Sequence, residues 1–378
     1  MNGRLLRFGE WLDIAGVLAV QYTTARMAQR QYKSLPVLQR QPQPSVIGVS
    51  TDGSQVEALP VSVIIPARNE EKNLPILLAS LQAQRPAPAE IVLVDDRSED
   101  RTAAMAIEAG VRSIRSSGPP LGWTGKTFAC YLGAEAAKSP WLLFLDADTC
   151  LEPQTIGVAL AYVQEHDLDG VSLFLQQRCE SLWERLLLPT AYAHYFAGVR
   201  GETPLANGQF ILLSREAYGR CGGHEGIAGS IIDDVALANA CRRAGVRLAL
   251  ARGEALASVR MYTGFGSIWM GFSKNSFRFL ASNPRGGIWT AASTSADTAV
   301  IYLIWRAWRR GGLGRWLAGI VSYGVGIWGM SYWQRLFRAG RWGVFLHPLS
   351  ACIVQAIALS STLQVVLRKG VVWKGRRY

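Results

Sequence analysis

The sequence predicts an α/β fold with a mostly parallel sheet, followed by a hydrophobic helical region. Short apolar segments alternate with segments of helical periodicity between residues 61 and 145, as expected for parallel strands covered by helices on both faces. Beyond about residue 285, long apolar stretches with few charges replace this alternation. A chain of 378 residues has room for one large domain and a second module.

The alternating region begins with an apolar segment at residues 61–65, and leucines recur at helical spacing in residues 70–83. Strands are predicted at residues 61–65, 91–94, 111–114 and 141–145, and helices at residues 70–83, from 100 or 102 to 109, and at 235–244. Ligands of open parallel sheets bind at the carboxyl ends of the strands, so functional residues are expected directly after them.

The C-terminal region contains two segments, 316–333 and 343–367, that are long enough to cross a membrane and hold no Asp, Glu, Lys or Arg. Residues 289–308 are a weaker candidate because they include Asp297. Arginines follow every segment, and three full spans would place them alternately on opposite sides, against the positive-inside bias. We therefore expect a two-helix hairpin with the first segment in the interface, or re-entrant packing. Buried helices of a soluble protein are the alternative.

The N-terminal segment contains an apolar run at residues 14–20, which is too short to cross a bilayer core of about 30 Å. It reads either as a basic amphipathic stretch on the membrane surface or as a loosely ordered tail. Residues 41–54, rich in Pro, Gln, Ser and Gly, predict a linker. The predicted divisions are therefore residues 1–57, an α/β domain at 58–284, and membrane-associated helices with a basic tail at 285–378.

The composition narrows the class of partner. A formal charge of +12 accompanies a mean hydropathy of +0.11 and 13 Trp, which suits an anionic membrane surface better than a nucleic acid. The six cysteines are scattered without a CxxC pair, which argues against a zinc site and against a disulfide framework. A reducing, cytoplasmic setting is expected.

Polar residues follow the first two predicted strands. Pro66, Ala67, Asn69 and Glu70 come after the first strand, where a dinucleotide-binding fold would show GxGxxG, so an NAD site is disfavoured. A plain helix-capping turn also explains Asn69 and Glu70.

The second strand ends in two adjacent carboxylates, Asp95 and Asp96. Carboxylates at this position can accept hydrogen bonds from a nucleotide base or from ribose hydroxyls. Helix capping accounts for only one of the two acids.

The fourth strand closes with Asp146-Ala147-Asp148. In an extended chain, carboxylates at i and i+2 point the same way, so both can face one Mg²⁺ or Mn²⁺ ion or divide a metal and a ribose between them. The pattern is common by chance, but its place at the end of an apolar strand strengthens it. If the ligand carries a diphosphate, such a metal would bridge it and neutralise charge that develops on it as a leaving group.

Asp233 and Asp234 follow a glycine-rich segment and begin a predicted helix. One carboxylate can cap the helix, and the other is free to accept a proton from a hydroxyl. A single base opposite the leaving group implies direct displacement, hence inversion of configuration. Lys126 lies in a Gly-Lys-Thr sequence that lacks the first glycine of a phosphate-binding loop, and is expected to neutralise phosphate or contact ribose.

These residues resemble the family 2 glycosyltransferases of GT-A fold, through segments 66–70, 94–98, 146–148 and 233–234 in that order. Segments 122–126, 207–210, 222–224 and 269–275 are similar to the branch of hopanoid-associated and carotenoid glycosyltransferases, which also end in hydrophobic helices. The QxxRW motif of processive polysaccharide synthases is missing, which favours single-sugar transfer.

The resemblance implies a role for each acid. Asp95 or Asp96 would bind the nucleotide base, Asp146 the ribose or metal, Asp148 the metal, and Asp234 would be the base. The first segment and Lys126 would complete the nucleotide-sugar site. The usual Asp-Asp-Gly-Ser carries Arg97 in place of glycine, which should matter little, and the usual Glu-Asp carries Asp233, which leaves the catalytic acid of the pair open.

The resulting hypothesis is a metal-dependent, inverting enzyme on the membrane, with its catalytic domain facing the cytoplasm and a nucleotide-sugar donor and lipid-type hydroxyl acceptor as partners. The alternatives are a polysaccharide or other glycolipid synthase of the same family, a nucleotidyltransferase, and a non-catalytic membrane scaffold. The donor sugar and the exact acceptor are not encoded in these motifs.

Overall fold

The computed structural model describes residues 8–39, 58–199 and 206–367, together with 372–373 and 376–377. The chain forms two compact units. We call them the sheet unit, Leu35–Gln177 with Pro204–Met261, and the helical unit, Met1–Ser34 with Arg178–Thr203 and Tyr262–Tyr378.

The sheet unit contains the strands that carry the predicted site. Its strands are β1 Leu59–Ala67, β2 Pro88–Asp95, β3 Arg112–Arg115, β4 Trp141–Leu145, β5 Thr149–Leu151, β6 Gly170–Phe174, β7 Gln176–Gln177, β8 Phe210–Ser214, β9 Leu248–Arg252 and β10 Ala257–Val259. The helical unit also contains a short antiparallel pair, β11 Val372–Trp373 and β12 Arg376–Arg377.

Helices occur in both units. They are α1 Phe8–Lys33, α2 Leu74–Gln82, α3 Thr102–Glu108, α4 Gly125–Ala136, α5 Thr155–Glu165, α6 Leu182–Gly198, α7 Arg215–Arg220, α8 Asp233–Arg243, α9 Phe265–Ser282, α10 Pro284–Arg310, α11 Leu313–Leu336 and α12 His347–Val366.

The main sheet has seven strands in the order β3-β2-β1-β4-β8-β6-β9. All neighbouring pairs are parallel except those of β8, which runs antiparallel to β4 and β6. The predicted α/β fold with a mostly parallel sheet is confirmed. A second sheet of three strands, β5-β10-β7, continues from the end of β4.

The central strands are buried on both faces, which explains why the segment that forms β4 has no polar residue. Val63 and Ile65 pack with the leucines of α2 on one face, while Ile64 packs with α4 and α8 on the other. Register pairs Ala67 with Asp95 and Ile64 with Phe144, so β1, β2 and β4 end at one edge of the sheet.

The helix predicted at residues 70–83 begins only at Leu74. The preceding residues form a turn in which Asn69 has a positive φ of 55°. The backbone N–H of Glu70 donates to Thr102 Oγ1 at 2.8 Å instead of to a helical carbonyl. Hydrogen bonding to residues distant in sequence therefore keeps the segment before Leu74 out of the helix, although its periodicity predicts helix.

Helix α1 shows that residues 8–33 are a long helix and not a loosely ordered tail, so that alternative is wrong for these residues. Ile14, Gln21, Ala25, Ala28 and Tyr32 recur at helical spacing and are buried within the helical unit. The linker predicted at residues 41–54 lies outside the described residues.

The division into units differs from the predicted boundary at residue 284. Helices α6 and α9 belong to the helical unit. Phe196 of α6 contacts Tyr32 of α1 and Trp333 of α11 through ring centroids 5.1 and 5.5 Å apart. Through this aromatic packing α6 belongs to the helical unit, although its residues lie within the predicted α/β domain at 58–284.

Among the residues described, one helical stretch, Trp342–Val366, is long and apolar enough to cross a membrane. This rests on length and composition, which the core helix of a soluble protein can also satisfy, and 22% of its apolar window is buried. Residues 316–333, predicted as a second such segment, lie in α11, where tryptophan, tyrosine, serine and glycine lower the mean hydropathy. The membrane-spanning expectation is thereby reduced to one segment.

Candidate active site

The loops after β1 and β2 are joined by hydrogen bonds. Asn69 N–H donates to Ser98 Oγ at 3.0 Å, and Asn69 Oδ1 accepts from Glu99 N–H at 2.9 Å. At the strand ends, Asp96 N–H donates to the Ala67 carbonyl at 2.8 Å. The first two predicted motifs, from Pro66 to Glu70 and at Asp95–Asp96, therefore form one continuous surface.

Asp95, the first acid of the second motif, lies in the interior at the end of β2. Asp95 is fully buried, and its Oδ1 accepts from Ser98 N–H at 2.9 Å, which closes the turn. Its Oδ2 is buried without a hydrogen-bond partner and lies 3.9 Å from Arg115 Nε. A buried acceptor of this kind is unfavourable unless a ligand or ion satisfies it.

Arg97 occupies the position where the resembling family carries glycine. Its φ of 57° lies in the left-handed region, which explains why glycine suits the position. Its guanidinium packs against Gly118, where an added Cβ would come within 2.7 Å of the Arg97 Cζ atom. The departure from the family pattern therefore places an exposed cation beside this site loop.

Lys126 brings together an acid that follows β4 and an acid that begins α8. Its Nζ lies 2.8 Å from Asp146 Oδ1 and 3.2 Å from Asp233 Oδ2. Thr124 accepts from Thr127 N–H and caps α4, which fixes Lys126 in the first turn of that helix. Burial lowers the pKa of Lys126, but the charges of Asp146 and Asp233 outweigh it and hold that pKa well above its usual value. Lys126 is thus a permanent cation at the centre of the cluster.

Asp234 is held by backbone donors. Its Oδ2 accepts from Gly208 N–H at 3.1 Å, and its Oδ1 accepts from Val235 N–H at 2.8 Å. Burial, then the neighbouring charge of Asp233, raise the pKa of Asp234 to about 6. Such a carboxylate is ionised near neutral pH yet basic enough to accept a proton.

Gly208 is packed between the two key side chains. A Cβ at this position would lie 3.3 Å from both Lys126 Nζ and the Asp234 Cβ. The turn around it is fixed by Ser172, whose Oγ accepts from Asn207 N–H at 2.7 Å. In the sequence, segment 207–210 was indicated only by its resemblance to the family. The hydrogen bond from Gly208 N–H to Asp234 is apparent only from the tertiary structure.

Asp146-Ala147-Asp148 forms a turn between β4 and β5, so the extended-chain argument for parallel carboxylates is wrong here. Thr149 closes the turn by donating through Oγ1 to the Asp146 carbonyl at 2.8 Å. The carbonyl of Asp148 accepts from Arg260 N–H at 3.3 Å. Both acids are half-buried and remain at the carboxyl end of β4.

A supporting group behind the site was not predicted. His224 is buried, its Nδ1 lies 3.0 Å from Tyr218 Oη, and its ring centroid lies 4.6 Å from that of Phe144. Burial lowers the pKa of His224 to about 4, so the ring is neutral and serves packing. In the sequence, His224 was indicated only as part of segment 222–224, and the resemblance assigned it no role.

Comparison of the fold defines the class. A mannosyltransferase from Pyrobaculum calidifontis, solved in complex with GDP-Man and Mn²⁺, superposes with a TM-score of 0.57 over 94% of this chain and 99% of that one, at 17% identity. At that identity the likeness concerns the fold, which is the GT-A-like α/β arrangement.

Comparison of the sequence defines the family. Residues 62–222 match the model of glycosyl transferase family 2. A 4,4'-diaponeurosporenoate glycosyltransferase of Staphylococcus haemolyticus is 33% identical over 228 residues, which cover 57% of this chain and 60% of that protein. The enzyme of that name from Staphylococcus aureus is 28% identical over 346 residues, covering 84% of this chain and 88% of that protein. Residues 62–222 therefore form a glycosyl transferase family 2 domain, and the chain resembles the carotenoid branch.

The predicted site residues fall into two groups at one edge of the sheet. The first motif lies with Asp95 and Asp96, and Lys126 lies with Asp146, Asp233 and Asp234. The roles of these residues remain predictions, which are based on the resemblance to family 2 glycosyltransferases.

Proposed function

We propose that this chain transfers one sugar from a nucleotide-diphosphate sugar to a lipid-type acceptor, a carotenoid- or hopanoid-like hydroxyl, with inversion at the anomeric carbon. The names of the relatives support a carotenoid-type acceptor, and the family supports a nucleotide-sugar donor. The chain covers less than two thirds of the Staphylococcus haemolyticus relative.

In this proposal, Asp234 is the general base. Its raised pKa and its two backbone donors hold an ionised carboxylate in fixed orientation. Asp233 is engaged by Lys126 and keeps the pKa of its neighbour high through its charge. A hydroxyl deprotonated by Asp234 would attack the anomeric carbon opposite the leaving diphosphate, and one displacement inverts that centre.

The donor's nucleotide would bind to the surface made by the first two motifs. The buried, unsatisfied Asp95 Oδ2 is an acceptor for a base or ribose donor, and the Asn69–Ser98 contact fixes the loop that presents it. Lys126 would exchange one of its carboxylate partners for a diphosphate oxygen and neutralise charge on the leaving group.

The donor set at β4 fits a hard divalent cation, Mg²⁺ or Mn²⁺, because Asp146 and Asp148 offer carboxylate oxygens. Within the described part of the chain no three His, Cys, Asp or Glu side chains group to hold a metal. Asp146 and Asp148 would therefore hold the ion together with the donor diphosphate and water. When bound, the ion would supply charge neutralisation at the diphosphate.

The name of the relatives suggests a second acceptor chemistry, since 4,4'-diaponeurosporenoate is a carboxylate. A carboxylate is already ionised at neutral pH and needs no base, whereas a hydroxyl does. Replacing Asp234 by Asn separates the two acceptors. Transfer to a hydroxyl should fall by orders of magnitude, and transfer to a carboxylate should fall only a little.

The enzyme would work at a membrane with its sheet unit in the cytoplasm. The apolar stretch Trp342–Val366 and the net charge of +12 support this placement.

The test is direct. The full chain in detergent, supplied with Mn²⁺ and a panel of nucleotide sugars, should transfer or hydrolyse one of them. With a hydroxyl acceptor, Asp148→Ala and Asp234→Ala should each abolish transfer while leaving circular dichroism unchanged. Full activity in both variants would rule out the assigned site. Mass spectrometry of lipid extracts from cells lacking the gene would identify the acceptor.

A further inference from the structure

One end of the helical unit is built where three helix termini meet. Glu10 of α1 is buried and pairs with Arg306 near the end of α10 and with Arg315 at the start of α11, the latter at 3.0 Å. Arg310 approaches the same carboxylate at 3.9 Å. These contacts fix the first turns of α1 and α11 beside the last turns of α10.

Four tryptophans are exposed around this meeting point. Trp11, Trp305, Trp308 and Trp316 are exposed by 55%, 51%, 69% and 39%, respectively. Indole rings with one polar edge and a large apolar face favour the boundary between water and hydrocarbon. Together with Arg306, Arg309, Arg310 and Arg315 these tryptophans form what we call the aromatic-basic end.

The polarity along α10 changes in one direction. Arg309 and Arg310 lie at its terminus, Trp305 and Trp308 come next, and the exposed aliphatic residues Ile301 and Ile304 lie further back. Residues 301 to 310 span about 14 Å of helix, close to the roughly 15 Å from the bilayer centre to its interface. The start of α11 repeats the sequence from arginine through tryptophan to aliphatic residues 317, 320 and 321.

The charge selects the kind of surface. Among the described residues, this end holds four arginines and the acids Glu10 and Asp13, which leaves a formal charge of +2. Arg309 and Arg310 are both exposed to solvent, although Arg310 also lies 3.9 Å from Glu10. We propose that the aromatic-basic end docks on the anionic phospholipid headgroups of a membrane leaflet, with its indoles at the interface and the aliphatic residues below. This inference deepens the membrane part of the proposed function and rests on that part alone.

The experiment measures binding of the full chain, diluted from detergent, to preformed vesicles of phosphatidylcholine with or without phosphatidylglycerol. Binding should be stronger to the vesicles that contain phosphatidylglycerol, and salt should weaken this preference. Each exposed arginine near an anionic surface contributes roughly fivefold, so Arg309→Gln with Arg310→Gln should weaken binding by about 30-fold.

The matched control is Arg242→Gln with Arg243→Gln, which removes the same charge from exposed positions at the end of α8. This control should keep the preference, and Arg309→Lys with Arg310→Lys should restore it. Equal loss in both double Gln variants would assign the effect to net charge and overturn the proposal. Equal binding to both vesicle types by the unmodified chain would also overturn it. No nucleotide sugar is present, so failure here leaves the sugar-transfer proposal standing, and the converse holds.

Discussion

The two units each contain buried or half-buried aspartates, and the two groups are balanced differently. In the helical unit, Asp297 accepts from Gln21 Nε2 at 3.1 Å and lies 3.2 Å from His194 Nε2. Ser322 and Ser293 extend these contacts through hydrogen bonds to Gln21 and His194. Asp297 is thus one acid in a connected polar network that joins α1, α6, α10 and α11.

In the sheet unit, Lys126 pairs with Asp146 and Asp233, and Asp234 lies beside them. Three carboxylates and one ammonium leave two formal negative charges when all are ionised. A surplus of like charge is unfavourable for folding unless a ligand compensates it, and such surpluses are typical of functional sites. The balance between carboxylates and their partners, and not burial alone, separates an aspartate that supports the fold from one that is available for chemistry.

The largest expected effect is on catalysis. Asp234→Asn keeps the shape and removes the base, so kcat for a hydroxyl acceptor should fall about 10²- to 10⁴-fold. Because the substitution also removes surplus charge, Tm should stay constant or rise. A loss of kcat accompanied by a large drop in Tm would mean that Asp234 supports the fold as Asp297 does.

The reciprocal variant is Asp297→Ala. It removes the buried partner of His194 Nε2 and of Gln21 Nε2 and should lower the free energy of unfolding by about 3 kcal/mol. Activity per folded molecule should be retained. Denaturant unfolding in detergent measures the first quantity, and initial rates scaled to the folded fraction measure the second. Unchanged stability would show that the network is dispensable.

Gly208→Ala probes the packing between Lys126 and Asp234. The added methyl group must displace Lys126 Nζ or the Asp234 side chain, each 3.3 Å away, and kcat/KM should fall about 10-fold. Gly219→Ala is the matched control, because a Cβ there meets nothing within 4 Å. Similar losses in both variants would contradict a specific role for Gly208.

The pH dependence tests the origin of the raised pKa. Asp234 must be ionised to act as base, so kcat/KM should rise with pH and level off above about 6. Asp233→Asn removes the neighbouring charge and should move the midpoint to lower pH. Since the pKa in the folded state exceeds the ordinary 3.8, this group stabilises the fold below pH 3.8, and that contribution is lost as pH rises through about 6. An unmoved midpoint would assign the shift to burial alone.

The smallest effect is expected at Arg97. Arg97→Gly relieves a positive φ of 57° and should change the free energy of unfolding by about 1 kcal/mol or less. kcat should be unchanged, which would bear out the prediction that this departure from the family pattern matters little. A clear rise in KM for the nucleotide sugar would instead make the guanidinium part of the donor site.

Much of the sheet unit follows from local pattern. The apolar segments at 61–65, 91–94 and 141–145 all became strands, because strands buried on both faces have no polar positions. The helix start at Leu74 and the turn at Asp146–Asp148 were not predictable in this way. Both depend on hydrogen bonds to residues that periodicity does not record, such as Thr102 for Glu70.

The chain alone indicates that polar residues, most of them acids, follow β1, β2 and β4, because apolar runs mark the strands and polar residues mark their ends. The position of Lys126 between Asp146 and Asp233, and the hydrogen bond from Gly208 to Asp234, depend instead on the tertiary fold. These contacts join residues 20 to 107 positions apart. They arise from the order of strands in the sheet, since inserting antiparallel β8 beside β4 brings the turn before β8 to the edge where β4 ends.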